Sequence, residues 1–140
     1  MMPYVSTHNI PRGDDLDLQR GDTWSITFQR LGDLALRDKL WFTLKDAHGD
    51  ADSAAWVGIE EAVGLEYING AAAGIPGNGS ITVTDAAKGN LTVALAAVES
   101  AKLENINVLF YDAQMLVGID ITTLVRGRAV VMADATRVTS

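Results

Sequence analysis

Thr23-Trp24-Ser25-Ile26-Thr27-Phe28-Gln29 decides the fold class. Polar and apolar residues alternate strictly here, so Trp24, Ile26 and Phe28 fall on one face of an extended chain and the polar residues on the other. β-branched and aromatic side chains fit a pleated, half-buried surface. The stretch is therefore expected to be a strand with Trp24, Ile26 and Phe28 in the core. After a turn at Leu31-Gly32-Asp33, the same period returns in Lys39–Lys45, with Leu40, Phe42 and Leu44 on one face. Trp41, Thr43 and Lys45 occupy the other face, where a monomer has little reason to place a tryptophan.

Outward from these two segments the pattern stays short-period. Ala55 to Glu61 and Gly64 to Asn69 read as short strands, and Ile81–Thr84 with Leu91–Leu95 read as a hairpin around Asp85–Asn90. Asn105 to Val117 is apolar on both faces and reads as a central strand, with Asp112 and Gln114 marking a bulge. Gly118 to Val125 reads as a further strand, Arg126-Gly127-Arg128 as a turn or bulge, and Ala129 to Ala133 as a last strand. Only Ala96 to Leu103 has helical character, with Glu99 and Lys102 three apart. Gly70–Ser80 holds four glycines and a proline and reads as an exposed loop. The expectation is a single all-β domain over residues 1–140: an immunoglobulin-like β-sandwich of about seven to nine strands with one short helix.

Composition narrows the function classes. The 140 residues are 48% hydrophobic and 21% charged, include no cysteine, and carry a net charge of −7. Without cysteine there is no disulfide framework, thiol nucleophile or iron–sulfur cluster. The negative charge removes counterion release as a drive for binding nucleic acid. No apolar run approaches the roughly 18 residues of a membrane span, and Met1-Met2-Pro3-Tyr4 does not begin a secretory signal.

Local motifs point mostly to structure. Arg12-Gly13-Asp14 and Arg20-Gly21-Asp22 match an integrin-binding tripeptide, but each also suits a glycine turn that launches a strand. Asp14, Asp15 and Asp17, and the alternating Asp46, His48, Asp50 and Asp52, offer oxygens to a hard cation. The second set has no closing glutamate at Ca²⁺-loop spacing, so solvated turns are expected and no metal. Gly74–Gly79 lacks the Lys-Ser/Thr ending of a phosphate loop. His8 and His48 stand in polar stretches without a nucleophile pattern, and Glu60-Glu61 and Asp14-Asp15 read as surface charges. No catalytic residue, cofactor site or metal site is nominated. Trp41 and Trp56 lie off the cleanest core faces, which suits an intersubunit contact or a sugar platform.

Three segments together resemble a phage family: Leu18-Gln19-Arg20-Gly21-Asp22-Thr23, then Phe110-Tyr111-Asp112-Ala113-Gln114, then Thr122-Thr123-Leu124-Val125-Arg126-Gly127-Arg128 with Val130-Val131 and Asp134-Ala135-Thr136-Arg137. Their order is similar to that of small tail and baseplate modules of tailed phages, including the N-terminal domain of baseplate upper proteins. The resemblance implies an immunoglobulin-like sandwich that acts in virion assembly. It implies synthesis in the bacterial cytoplasm and incorporation into the virion. In physical terms Gly21 and Gly127 suit turns that need unusual φ. Asp112 and Gln114 need partners, which Arg126, Arg128 or Arg137 could supply. The leading expectation is a non-enzymatic tail or baseplate module that forms a homo-oligomer, with Trp41 or Trp56 near the contact, and docks to other virion tail proteins. A carbohydrate- or receptor-binding module is the first alternative, and a small hydrolase the second.

Overall fold

Thr23–Phe28 is a strand, and its Trp24, Ile26 and Phe28 are no more than 1% exposed. The computed structural model describes residues 5–10 (by their backbone), 15–47, 50–51, 54–103 and 108–132. Among these residues lie β1 (Val5–Ile10), β2 (Leu16–Gln19), β3 (Thr23–Phe28), β4 (Lys39–Lys45), β5 (Val57–Glu60), β6 (Gly64–Ile68), β7 (Ala71–Ala72), β8 (Gly79–Asp85), β9 (Asn90–Leu95), β10 (Val108–Val117) and β11 (Asp120–Met132). One helical turn, α1 (Ala97–Ser100), and a 3-10 turn at Pro76–Asn78 complete the set.

The strands form two sheets, ordered β1-β3-β9-β8 and β2-β11-β10-β4-β5-β6-β7. The central strands of this arrangement, β3-β9-β8 against β11-β10-β4-β5-β6, follow the order of a variable-type immunoglobulin-like sandwich. The first two strands go to opposite sheets and add in parallel, β1 on β3 and β2 on β11. Inward side chains of both sheets form one core. Phe28 of the smaller sheet meets Phe42 and Tyr111 of the larger one, with ring centroids 6.1 and 5.7 Å apart. Offset or tilted aromatic pairs of this kind add to the burial of apolar area that drives the two sheets together.

Several elements differ in detail from expectation. Among the described residues eleven strands form rather than seven to nine: β1, β2 and β7 form where no strand was expected, while β11 joins two expected strands into one. Within Gly70–Ser80, Ala71–Ala72 pairs with β6, and β8 already begins at Gly79. The helix is a single turn, since Leu103 is drawn into the core and Asn69 Nδ2 donates to the Lys102 carbonyl. Arg126-Gly127-Arg128 is neither turn nor break. β11 runs through it for 13 residues, opposite β10. Gly127 keeps a negative-φ backbone, and its missing side chain makes room for the Tyr111 ring. The irregularity expected near Asp112 and Gln114 does occur, between Ala113 and Gln114, where the extra residue Leu124 of β11 turns into the core. Gly21 does have positive φ, at 86°.

Candidate interaction surface

The larger sheet has one face in the core and one outside, and the outer face gathers most of the unusual chemistry. Alternation sends Leu109, Tyr111 and Ala113 of β10 inward, and Phe110 and Asp112 outward. On β4, Trp41, Thr43 and Lys45 point outward beside them, in register with Gln114, Asp112 and Phe110. Four polar side chains here, Thr43, Lys45, Glu60 and Asp112, are only 4–5% exposed. A buried polar group needs a hydrogen-bond partner. Thr43 Oγ1 donates to Asp112 Oδ1 at 2.7 Å, and Lys39 Nζ lies 3.7 Å from Glu60 Oε1. Gln114 Nε2 donates to Thr123 Oγ1 at 3.2 Å. Tyr67 stands across from Gly58, and its ring fills the place of the missing side chain.

Going outward along the β10–β11 hairpin, five cross-strand rows lie on the outer face: Val108 with Val130, Phe110 with Arg128, Asp112 with Arg126, Gln114 with Thr123, and Leu116 with Ile121. The two end rows are apolar and the middle is polar. Val108, Ile121 and Met132 are among the large apolar side chains left exposed, and Ile119 at the hairpin tip is 94% exposed.

The tip joins a second feature. The β3–β4, β5–β6 and β10–β11 connections meet at one end of the sandwich, and each presents an exposed aliphatic residue: Leu36, Val63 and Ile119. Variable-type immunoglobulin domains carry their binding loops at the corresponding end. These connections are braced. Arg37 Nε and Nη2 donate to the two Glu61 carboxylate oxygens at 2.6 Å, and Arg37 Nη1 donates to the Leu34 carbonyl. The Glu61 hydrogen bond holds the Arg37 pKa above its ordinary value; burial opposes this, and the Glu61 charge adds to it. Asp38 Oδ2 accepts the Gly118 N–H, and the Asp38 N–H donates to the Leu116 carbonyl.

The residues singled out from sequence are spread out. Trp41 is half-buried on the outer face between Gln114 and Glu60. Trp56 lies just before β5, packs against the core edge and donates from Nε1 to Asp46 Oδ1 at 2.8 Å. The two rings are not brought together. His8 is described by backbone alone in β1, and His48, Asp14 and Asp52 lie outside the described residues, as do Arg12-Gly13-Asp14 and Arg137. Asp15 pairs with Arg128 at 2.7 Å, and Asp50 Oδ2 accepts the Ala47 N–H. The Asp15 hydrogen bond and charge hold the Arg128 pKa above its ordinary value. Among the described residues no three histidine or carboxylate side chains gather as metal ligands. Arg20-Gly21-Asp22 is a turn held from both sides: the Ser100 hydroxyl accepts the Gly21 N–H and donates to the Asp22 carbonyl.

Two sequence expectations need correction. Glu60-Glu61 are not free surface charges: Glu60 is buried beside Lys39, and Glu61 is clamped by Arg37. Asp112 accepts from Thr43 and Gln114 donates to Thr123, and among the described residues neither has an arginine as its hydrogen-bond partner, although Arg126 lies opposite Asp112 in the ladder. The exposed aliphatics Leu36, Val63, Ile119 and Ile121 were missed. Their signal in the sequence was weak: Leu36 and Val63 follow other apolar residues in the connections that carry them, and Ile119 and Ile121 flank Asp120. No protein-family model and no curated protein matches the chain.

Proposed function

We propose that this chain is a non-enzymatic structural module of a phage or prophage virion, a tail or baseplate component that works by self-association and by docking to other tail proteins. The observation that carries this reading is the placement of exposed apolar side chains. Val108, Ile119, Ile121 and Met132 all sit on the β10–β11 hairpin, half of the eight large apolar residues left exposed among the described residues. They form two groups, Val108 with Met132 at one end and Ile119 with Ile121 at the tip, and exposed apolar groups gathered on one element mark an interaction site. The motif segments add support. Tyr111, Asp112 and Gln114 of one lie across from Gly127, Arg126 and Thr123 of another, so the shared residues build this hairpin. A sugar platform would need an aromatic row, and Trp41 and Trp56 are apart.

Sedimentation of the purified chain at micromolar concentration tests self-association. A dimer or trimer is expected, and a clean monomer at 14.9 kDa overturns the reading. Mass spectrometry of particles purified after prophage induction should find the chain in virions; its absence from them overturns the virion assignment.

A further inference from the structure

We propose that the outer face of the β10–β11 hairpin is the contact between two copies of this chain, related by a two-fold axis that runs along the hairpin between its strands. The proposal rests on the self-association reading above and supplies its geometry. A two-fold in this position places β10 of one copy over β11 of the other, row on the same row. The five outward rows then test the arrangement one by one. Val108 meets Val130 of the second copy, and Leu116 meets Ile121, so the apolar ends cover each other. Phe110 meets Arg128, which suits a guanidinium on an aromatic face. Gln114 meets Thr123, donor to acceptor. In the central row the exposed Arg126 comes over Asp112 of the second copy, a carboxylate 4% exposed and bonded to Thr43 of its own chain, so the charges are opposite. Each contact occurs twice, as an isologous interface requires. The other two-fold, across the strands, puts Arg126 on Arg126 and Asp112 on Asp112, and is rejected by like charge.

Three further observations point to a second copy. Arg126 is exposed and has no ion-pair partner among the described residues, although its cross-strand neighbour is the carboxylate of Asp112. On the flanks, Lys45 of β4 lies in the Phe110 row and Asp15 lies beside Arg128 in the same row, so the axis also brings Lys45 over Asp15 of the other copy. The chain as a whole carries −7, which opposes self-association, yet on this face Lys39, Lys45, Arg126 and Arg128 balance Asp15, Asp17, Glu60 and Asp112. By strand length, β2, β11, β10 and β4 present roughly 550 Å² per copy, or about 1,100 Å² over two copies. That clears the roughly 1,000 Å² expected of a specific contact, and the projecting tip at Ile119 and the β11 end at Met132 add to it.

The chain has no cysteine, so single thiols report the geometry cleanly. Val130→Cys and Ile121→Cys are made separately and treated with a bis-maleimide of about 10 Å reach. In the proposed dimer the two Val130 positions are roughly 11 Å apart, and Val130 is roughly 29 Å from Ile121 of the other copy, from the spacing of strands and packed sheets. Each variant should link to itself, and a mixture of the two should give no mixed product. Arg126→Glu, at an exposed position, should keep its melting temperature and weaken the dimer about tenfold or more. A mixed Val130–Ile121 product overturns the axis direction. A dimer that neither self-links nor responds to Arg126→Glu overturns the face and leaves self-association standing. A monomer in sedimentation overturns both.

Discussion

Gly127→Ala is the sharpest test of the core. A methyl group at this position would lie 2.7 Å from Tyr111 Cε2 and Oη and 2.8 Å from Cζ, where ordinary contact begins at 3.4 Å. The ring must move by about 0.7 Å, and it has nowhere to go. Tyr111 is fully buried and lies 5.7 Å from the Phe28 ring and 6.3 Å from the Phe42 ring. Backbone strain is absent, since Gly127 does not have positive φ. At an unstrained site Gly→Ala stabilises by about 0.4–1 kcal/mol through the unfolded chain. Overpacking a filled core costs about 1–3 kcal/mol. The clash is with three atoms of a wedged ring, so the net expectation is a loss of about 1–2 kcal/mol, or roughly 3–7 °C in melting temperature for a domain of this size. Differential scanning calorimetry reads this directly. Gly74→Ala, where a methyl group meets nothing within 4 Å, is the neutral control. In a Tyr111→Leu background, which removes the clashing atoms, Gly127→Ala should cost less than about 0.5 kcal/mol. An unchanged or raised melting temperature for Gly127→Ala alone would refute the argument that Tyr111 occupies the glycine's side-chain space.

Two further outcomes follow from the packing. Trp24→Ala should cost about 3–5 kcal/mol in urea unfolding, because the ring is 1% exposed and its Nε1–H donates to the Gln19 carbonyl; an unmoved midpoint would show the face assignment to be wrong. Burial pushes the Glu99 pKa up, but hydrogen bonds from Lys102 and Asn78 and the Lys102 charge outweigh it and hold the pKa below its ordinary value. Glu99 therefore stabilises the fold above its unfolded-state pKa, and this contribution disappears as pH falls through the lower folded-state value. The gap between wild-type and Glu99→Gln urea midpoints should be widest at neutral pH and close as pH falls below the ordinary carboxylate range; a gap independent of pH would contradict this.

The candidate surface was only partly legible before folding. Trp41 could be placed outside the core because β4 alternates without interruption, and it does lie on the outer face. Trp56 could not be placed, because it precedes a four-residue strand whose residues are all buried, leaving no alternation to read. Asp112 was recognisable as a polar residue on a strand apolar on both faces. Its partner Thr43 is 69 residues away and was not, since a hydroxyl partner is chosen by register between strands.

Alternation, turn residues and the absence of long amphipathic segments were enough to determine an all-β sandwich, the inward faces of β3 and β4 and the β8–β9 hairpin, because a strand's period of two is set by its own backbone. Only the tertiary structure decided how β11 behaves. Read alone, Arg126-Gly127-Arg128 is a turn; paired with β10, it continues a 13-residue strand, because Tyr111 fills the glycine's place and ladder hydrogen bonds outweigh the local preference. The same pairing set the five outward rows and the end at which Leu36, Val63 and Ile119 meet. Those neighbours come from distant parts of the chain, and their proximity follows from strand register and sheet order, which local sequence does not encode.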